Sequence, residues 1–360
     1  MALGFGKLLF GAGGIYAAFL YYGSLQEDVL TYTAPDGSKF KYSWFLQILE
    51  AGANVVLGNI CMLAFEGLRQ VPQAPYIISG ALQVTAKYCT TASMVAGVSF
   101  PVATLAKSSK MVPVMIGSLL LGKAKYSIRE YIHVMLIVGG TAAVSMSGKS
   151  KKGDSSMTGI LFLVAALACD GVVGGTQKGL KKTLEEKGMK ERNFEMQFLT
   201  NLYMMVTAAI FACIMGELEP GYNFLMQNPS IFKDIAKFAV CSALGQAFIF
   251  YTISSFDPLV CTTVTTTRKV FSVMLSILTK GHSLNSMGWS GIAMACGGIL
   301  GELEEKYSAS KKKVAAKPKE GSKDASKNAK ESGKENASAK KAPAPKSGSK
   351  SGNSKPGKVD

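Results

Sequence analysis

Two pairs of cations stand in stretches that otherwise read as hydrocarbon-embedded. Lys107 and Lys110 lie three residues apart in the middle of an apolar run, a spacing that places both on one helical face. Arg268 and Lys269 are adjacent in the middle of another such run. A cation at the centre of a bilayer costs at least ~2.5 kcal/mol on insertion scales, and snorkelling does not help when each end is about ten residues, roughly 15 Å, away. Structural pairing with buried acids is the plain reading, but Glu27, Glu50 and Asp170 are too few to balance four cations, of which the rest call for a visiting anion. Arg suits bidentate phosphate contacts and Lys supplies mobile point charge, so a di- or triphosphate matches the excess. Lys87, beside Tyr88, is a fifth mid-run cation that either joins this wall or pairs with an acid. Gln246, Tyr251, Gln26 and Tyr22 are candidate hydrogen-bonding or aromatic walls for a base or sugar, each equally open to ordinary helix packing. The threonines between 262 and 267 read as helix packing.

Other chemistry is excluded. The seven Cys all fall in apolar runs, with no CxxC and no Cys/His cluster, so neither a disulfide framework nor a metal site is expected. His133 and His282 have no metal-binding neighbours in sequence. No clustered acids, metal triad or activated Ser marks a membrane-embedded enzyme, and no cofactor is expected.

These cations need long helices to hold them. Hydrophobic residues make up 48% of the 360 positions and charged residues 18%, with charge gathered at 25–43, 176–196 and 304–360. Between these stretches lie runs of the length that crosses a bilayer, and helices satisfy their own backbone there. The expectation is an all-α membrane protein with ten transmembrane helices at roughly 4–24, 45–65, 76–98, 101–122, 131–147, 158–175, 197–216, 231–251, 259–279 and 286–303. The first run reads as a retained span, being too long for a signal-peptide core. Pro72, Pro75, Pro101, Pro229 and Pro258 sit near proposed boundaries, where helices start most easily. The longest expected loop, 176–196, divides the spans into two sets of five.

The halves resemble each other. KMVPVM at 110–115 answers KVFSVM at 269–274, and the glycine pairs Gly139-Gly140 and Gly297-Gly298 follow at similar distances. Five-span halves have opposite orientations, so the expectation is two five-helix inverted repeats, about 1–150 and 155–305, with a site between them. Residues 306–360 hold 16 Lys against five acids, which is eleven of the sixteen net positive charges, and few large apolar side chains. That composition reads as a disordered, Lys-rich cytosolic tail able to meet anionic lipid, and the tail charge is no sign of a nucleic-acid partner. Loops on the terminus side carry ten Lys or Arg against six opposite, Lys149, Lys151 and Lys152 among the six, which puts both termini in the cytosol. On that side the sequon Asn336-Ala-Ser338 stays unglycosylated.

FPVATLAKSSKMVPVM (100–115), ALGQAFIFYTISSFDPLVCTTVTTTRKVFSV (243–273) and YYGSLQE (21–27) resemble segments of the nucleotide-sugar transporters in the drug/metabolite transporter superfamily. The likeness covers roughly 10–305. TTTRK (265–269) and YYGSLQE are most similar to the UDP-galactose/UDP-glucose transporter homologues of the endoplasmic reticulum, some of which exchange ATP for ADP. The branch carrying the sulfate donor PAPS shares the AKSSKM-like segment but typically lacks the Arg-Lys pair. The resemblance implies a secondary antiporter working by alternating access. It would move a UDP-sugar into the lumen against a nucleoside monophosphate, with ATP/ADP exchange or PAPS transport as alternatives. It also implies that Lys107, Lys110, Arg268 and Lys269 hold the phosphates, and that Glu27 and Gln246 face the cavity. Many relatives end in a dilysine retrieval signal, whereas this chain ends GKVD, so the Golgi membrane stands beside the reticulum as a location.

Overall fold

The computed structural model describes residues 2–110, 112–113, 115, 127–147, 155–256, 258–281 and 284–316. Lys149, Lys151, Lys152, His282, the end of the expected fourth span, the Lys110 side chain and the tail beyond 316 with its sequon lie outside the described part. Eleven α-helices are found among the described residues: α1 Ala2–Thr31, α2 Ser43–Cys61, α3 Ala74–Val95, α4 Phe100–Ala106, α5 Ile128–Ser147, α6 Ser155–Glu186, α7 Asn193–Ile214, α8 Leu218–Gln227, α9 Pro229–Ser255, α10 Pro258–Lys280 and α11 Ser286–Ala316. A π-helical turn, Met62–Glu66, extends α2, and a 3-10 turn, Lys107–Lys110, extends α4. An isolated bridge, Thr33 to Lys39, is the only extended pairing among the described residues. Pro75, Pro101 and Pro229 each open a helix, where the missing N–H is no loss.

The chain is an all-α membrane protein. Among the described residues, six helices have the length and composition to cross a bilayer: those at Gly6–Thr31, Ser43–Glu66, Ile128–Ser147, Met157–Glu186, Asn193–Ile214 and Pro229–Ile253. Polarity is turned inside out. Phe10, Val56, Phe65, Met135, Leu161 and Ile214 lie exposed on those helices, while Gln47, Glu50, Asn54, Gln197, Asn201 and Ser242 are buried. Apolar faces of this extent are stable only against lipid.

Three expectations need correcting. The stretch 176–196 is not one long loop, because α6 continues to Glu186. Leu180 and Leu184, four residues apart, bury against Tyr76 and keep this charged segment helical. Second, Lys107–Lys110 form a 3-10 turn rather than a turn of α-helix. Third, α8 stands where a loop was read; it buries Phe224 and Leu225 with Phe40 and Phe238. The helix that ends the described chain runs past 305 to Ala316.

Helices pack in pairs. α3 lies along α6 and α7, α1 along α9 and α10, α2 along α7 and α9, and α4 along α10. α5 meets α11 at near backbone contact: a methyl group added to Gly140 would stand 2.4 Å from the Gly291 carbonyl oxygen. Gly140 and Gly298 thus serve helix approach, as small residues do in membranes, while a methyl group added at Gly297 would meet nothing within 4 Å.

The α2/α7 pair is tied at both ends. The Glu66 carboxylate accepts the N–H groups of Phe194 (3.1 Å) and Glu195 (2.8 Å) at the start of α7. The Glu217 carboxylate accepts those of Trp44 (2.7 Å) and Phe45 (3.3 Å) at the start of α2. Each carboxylate follows the end of one helix and satisfies orphan donors of the other. Gly67 (φ 70°) and Gly216 (φ 66°) supply the left-handed residue that ends each segment beside its Glu. Burial pushes the Glu217 carboxyl above the usual carboxylate range, and the two backbone donors pull against it. Arg69 adds a bidentate bond to Glu195, at 2.7 and 2.8 Å.

Candidate functional site

A cavity of about 450 Å³ opens among the helices α1, α2, α3, α4, α6, α9 and α10, with the first residue of the 3-10 turn on its wall. The size suits a nucleotide-scale ligand. Its described lining carries four cations, Lys87, Lys107, Arg268 and Lys269, against two carboxylates, Glu50 and Asp170. The formal charge of the described lining is positive by two.

Arg268 reaches the cavity from α10. Its Nε is buried without a hydrogen-bond partner. Its guanidinium carbon stands 4.7 Å from the centroid of the Phe19 ring. A cation over a ring face is stabilised by the ring quadrupole, but a ring satisfies no N–H. Phe19 is held in place by Gly245 on α9, where a methyl group would come within 2.5 Å of the ring. Lys269, one residue on, lines this cavity and also a smaller pocket of about 160 Å³ with Thr262, Thr265 and Thr266. The Thr265 hydroxyl donates back to its own helix at Cys261.

Lys87 does both things the sequence allowed. It lines the cavity, and its Nζ donates to Glu50 Oε1 at 2.8 Å. The same oxygen accepts from Ser242 (2.8 Å) and from Tyr22 (3.1 Å). Asn54 donates in turn to Ser242 at 3.1 Å, so α1, α2, α3 and α9 meet at one carboxylate. The Glu50 side chain is 2% exposed and that of Lys87 26%, which puts the amine in front and the acid behind. Isolated, a charge so buried would be prohibitively costly; three donors on one oxygen make it tolerable.

Gln246 lines the cavity, and its Oε1 accepts from Asn201 at 3.2 Å. Tyr22 and Gln26 also line it. Tyr251 stands elsewhere, edge-on to Phe10 at 5.5 Å. Glu27 is buried away from the lining and accepts from Ser276 on α10 at 2.7 Å. Lys110 closes the 3-10 turn begun by Lys107. Sequence reasoning missed Phe19 and Ser242, and it left open which acid makes the Lys87 contact. Two opposite charges in neighbouring apolar runs were the signal for that contact, but spacing alone does not pair them. Among the described residues no group of three or more metal-ligating side chains is found. His133 Nδ1 stands 3.4 Å from Glu305, outside the cavity.

The sequence profile of the UAA transporter family matches residues 7–306. Solute carrier family 35 member B1 of Dictyostelium discoideum is 32% identical over 86% of this chain and 80% of its own length. UDP-galactose/UDP-glucose transporter 3 of Arabidopsis thaliana is 31% identical over 83% of this chain and 92% of its own. A solved crystal structure superposes with a TM-score of 0.54 at 12% identity, covering 82% of this chain and 97% of that one, a likeness of fold.

Proposed function

The chain belongs to the UAA transporter family, and from that premise we propose that its cavity carries a UDP-sugar, UDP-galactose or UDP-glucose, from the cytosol into the lumen of the secretory pathway. The counter-substrate is a nucleoside monophosphate returning by alternating access. The observation that carries this reading is Arg268, a cation with a buried Nε that no protein group satisfies, facing a nucleotide-sized cavity. Lys107, Lys110 and Lys269 complete the phosphate cradle, and Gln246 borders the base or sugar. Glu27 acts one layer back, by holding α10 through Ser276. The cations of the lining favour a polyanion, and the likeness to a relative named for UDP-galactose and UDP-glucose favours a sugar nucleotide as that cargo.

Ten spans in two inverted five-helix repeats underlie the exchange. Support comes from contacts that survive swapping each span for the one five later. α3 with α6 becomes α9 with α1, α2 with α9 becomes α7 with α3, and α2 with α7 and α4 with α10 map onto themselves. The reciprocal caps of Glu66 and Glu217 obey the same exchange. Such pseudo-symmetry lets one repeat rock against the other around a midplane site. Both termini face the cytosol, in the reticulum membrane or, alternatively, the Golgi membrane.

Purified protein in liposomes tests this. Labelled UDP-galactose is taken up, and Arg268→Ala and Lys269→Ala each reduce uptake at least a hundredfold while the thermal midpoint in detergent stays put. Undiminished uptake by both variants removes the cradle. A competition panel of UDP-sugars, ATP, ADP and PAPS identifies the cargo, and stronger competition by ATP or PAPS than by any UDP-sugar overturns the assignment.

A further inference from the structure

We propose that the Glu50–Lys87 pair is a charge filter that sets how many negative charges the cavity prefers in its cargo. The inference rests on the reading of the cavity as a nucleotide site and goes one step further, to its selectivity.

Lys87 reaches the cavity from α3, while Lys107 lines it from the 3-10 turn and Arg268 and Lys269 from α10. Left alone, it would add a full positive charge and favour the most highly charged nucleotide available. Glu50 stands behind it at 2.8 Å and cancels that charge at long range. The cancellation is built to last. Tyr22 and Ser242 hold the same carboxylate oxygen, so Glu50 is fixed on α1 and α9 whether or not Lys87 turns toward cargo. With the amine turned away, the Tyr22 and Ser242 hydroxyls remain on that oxygen. Lys87 can therefore offer a local N–H donor to a phosphate or hydroxyl without contributing net charge. Cargo with fewer charges, such as a sugar nucleotide, loses little by this. A triphosphate loses more, because the missing attraction scales with its own charge.

The prediction is a ranking of variants by one property, the affinity ratio of ATP to UDP-galactose. Relative to the natural pair, Glu50→Gln adds one positive charge, Lys87→Gln removes one, and the double variant restores the balance. Two extra charges on the ligand, felt across a wet cavity, amount to about tenfold in that ratio per charge changed. Competition against labelled UDP-galactose in liposomes gives the ratio for all four proteins. The expected order is Glu50→Gln highest, natural and double variant together in the middle, and Lys87→Gln lowest. Ratios that stay equal while uptake falls in all variants would leave the pair purely structural and overturn the filter. A double variant no closer to the natural ratio than its parents overturns it too. Should a single variant fail to fold, the double variant and Lys87→Met, which keeps an unbranched side chain without the charge, decide the matter by the same ratio. Failure of the underlying reading looks different: the natural protein itself then shows no competition by UDP-sugars.

Discussion

The α2/α7 pair and the α4/α10 pair each match themselves when the halves are exchanged, yet they are built to opposite rules. In α2/α7 the orphan N–H groups at both helix starts are met by a carboxylate from the partner's far end, and Arg69 secures Glu195 with two bonds. In α4/α10 the helix breaks into a 3-10 turn at Lys107, and Arg268 keeps an unsatisfied Nε. One pair meets the donors at its helix starts from within; the other keeps a guanidinium N–H that no protein group meets. The contrast separates a frame, which must stay the same through a transport cycle, from a working surface, which must change partners during it.

Breaking the frame has the largest consequence for stability. Arg69→Ala strands the Glu195 carboxylate, which is 3% exposed, beside Tyr76. The expected loss is about 3–5 kcal/mol, read as a large fall in the thermal midpoint in detergent. A midpoint unchanged by this substitution would remove the frame from the comparison. On the working surface, Arg268→Lys keeps the charge but gives up the planar fork. Uptake of UDP-galactose falls about tenfold with the midpoint unmoved, since a charged hydrogen bond contributes on the order of 1.5 kcal/mol. Equal uptake would mean that only charge matters there. The smallest effects belong to the two caps. Glu66→Ala and Glu217→Ala each cost about 1 kcal/mol, and the double variant costs the sum because the caps share no donor. If one cap carries the whole effect, the two ends are not equivalent and the symmetry of the frame is lost.

Much of this was legible without coordinates. Helix class followed from run length, and Pro75, Pro101 and Pro229 marked helix starts. Lys107, Arg268, Lys269 and Gln246 were singled out, and the structure gathers them on one cavity. What was not legible fell into two kinds. α8 is only ten residues and amphipathic, so nothing in its composition distinguishes it from a loop until Phe40 and Phe238 cover it. The charged end of α6 reads as solvent-facing loop until Tyr76 covers Leu180 and Leu184.

The amino-acid order determined which segments are apolar enough to enter a membrane and which cations they carry there, because hydropathy is a property of neighbours along the chain. Only the tertiary structure decided which charges are spent internally. Glu50 finds Lys87 across 37 positions and Glu217 finds the start of α2 across 173, distances over which no periodicity speaks. Arg268 is left over for the same reason: the packing of α10 brings Phe19 to it rather than a carboxylate.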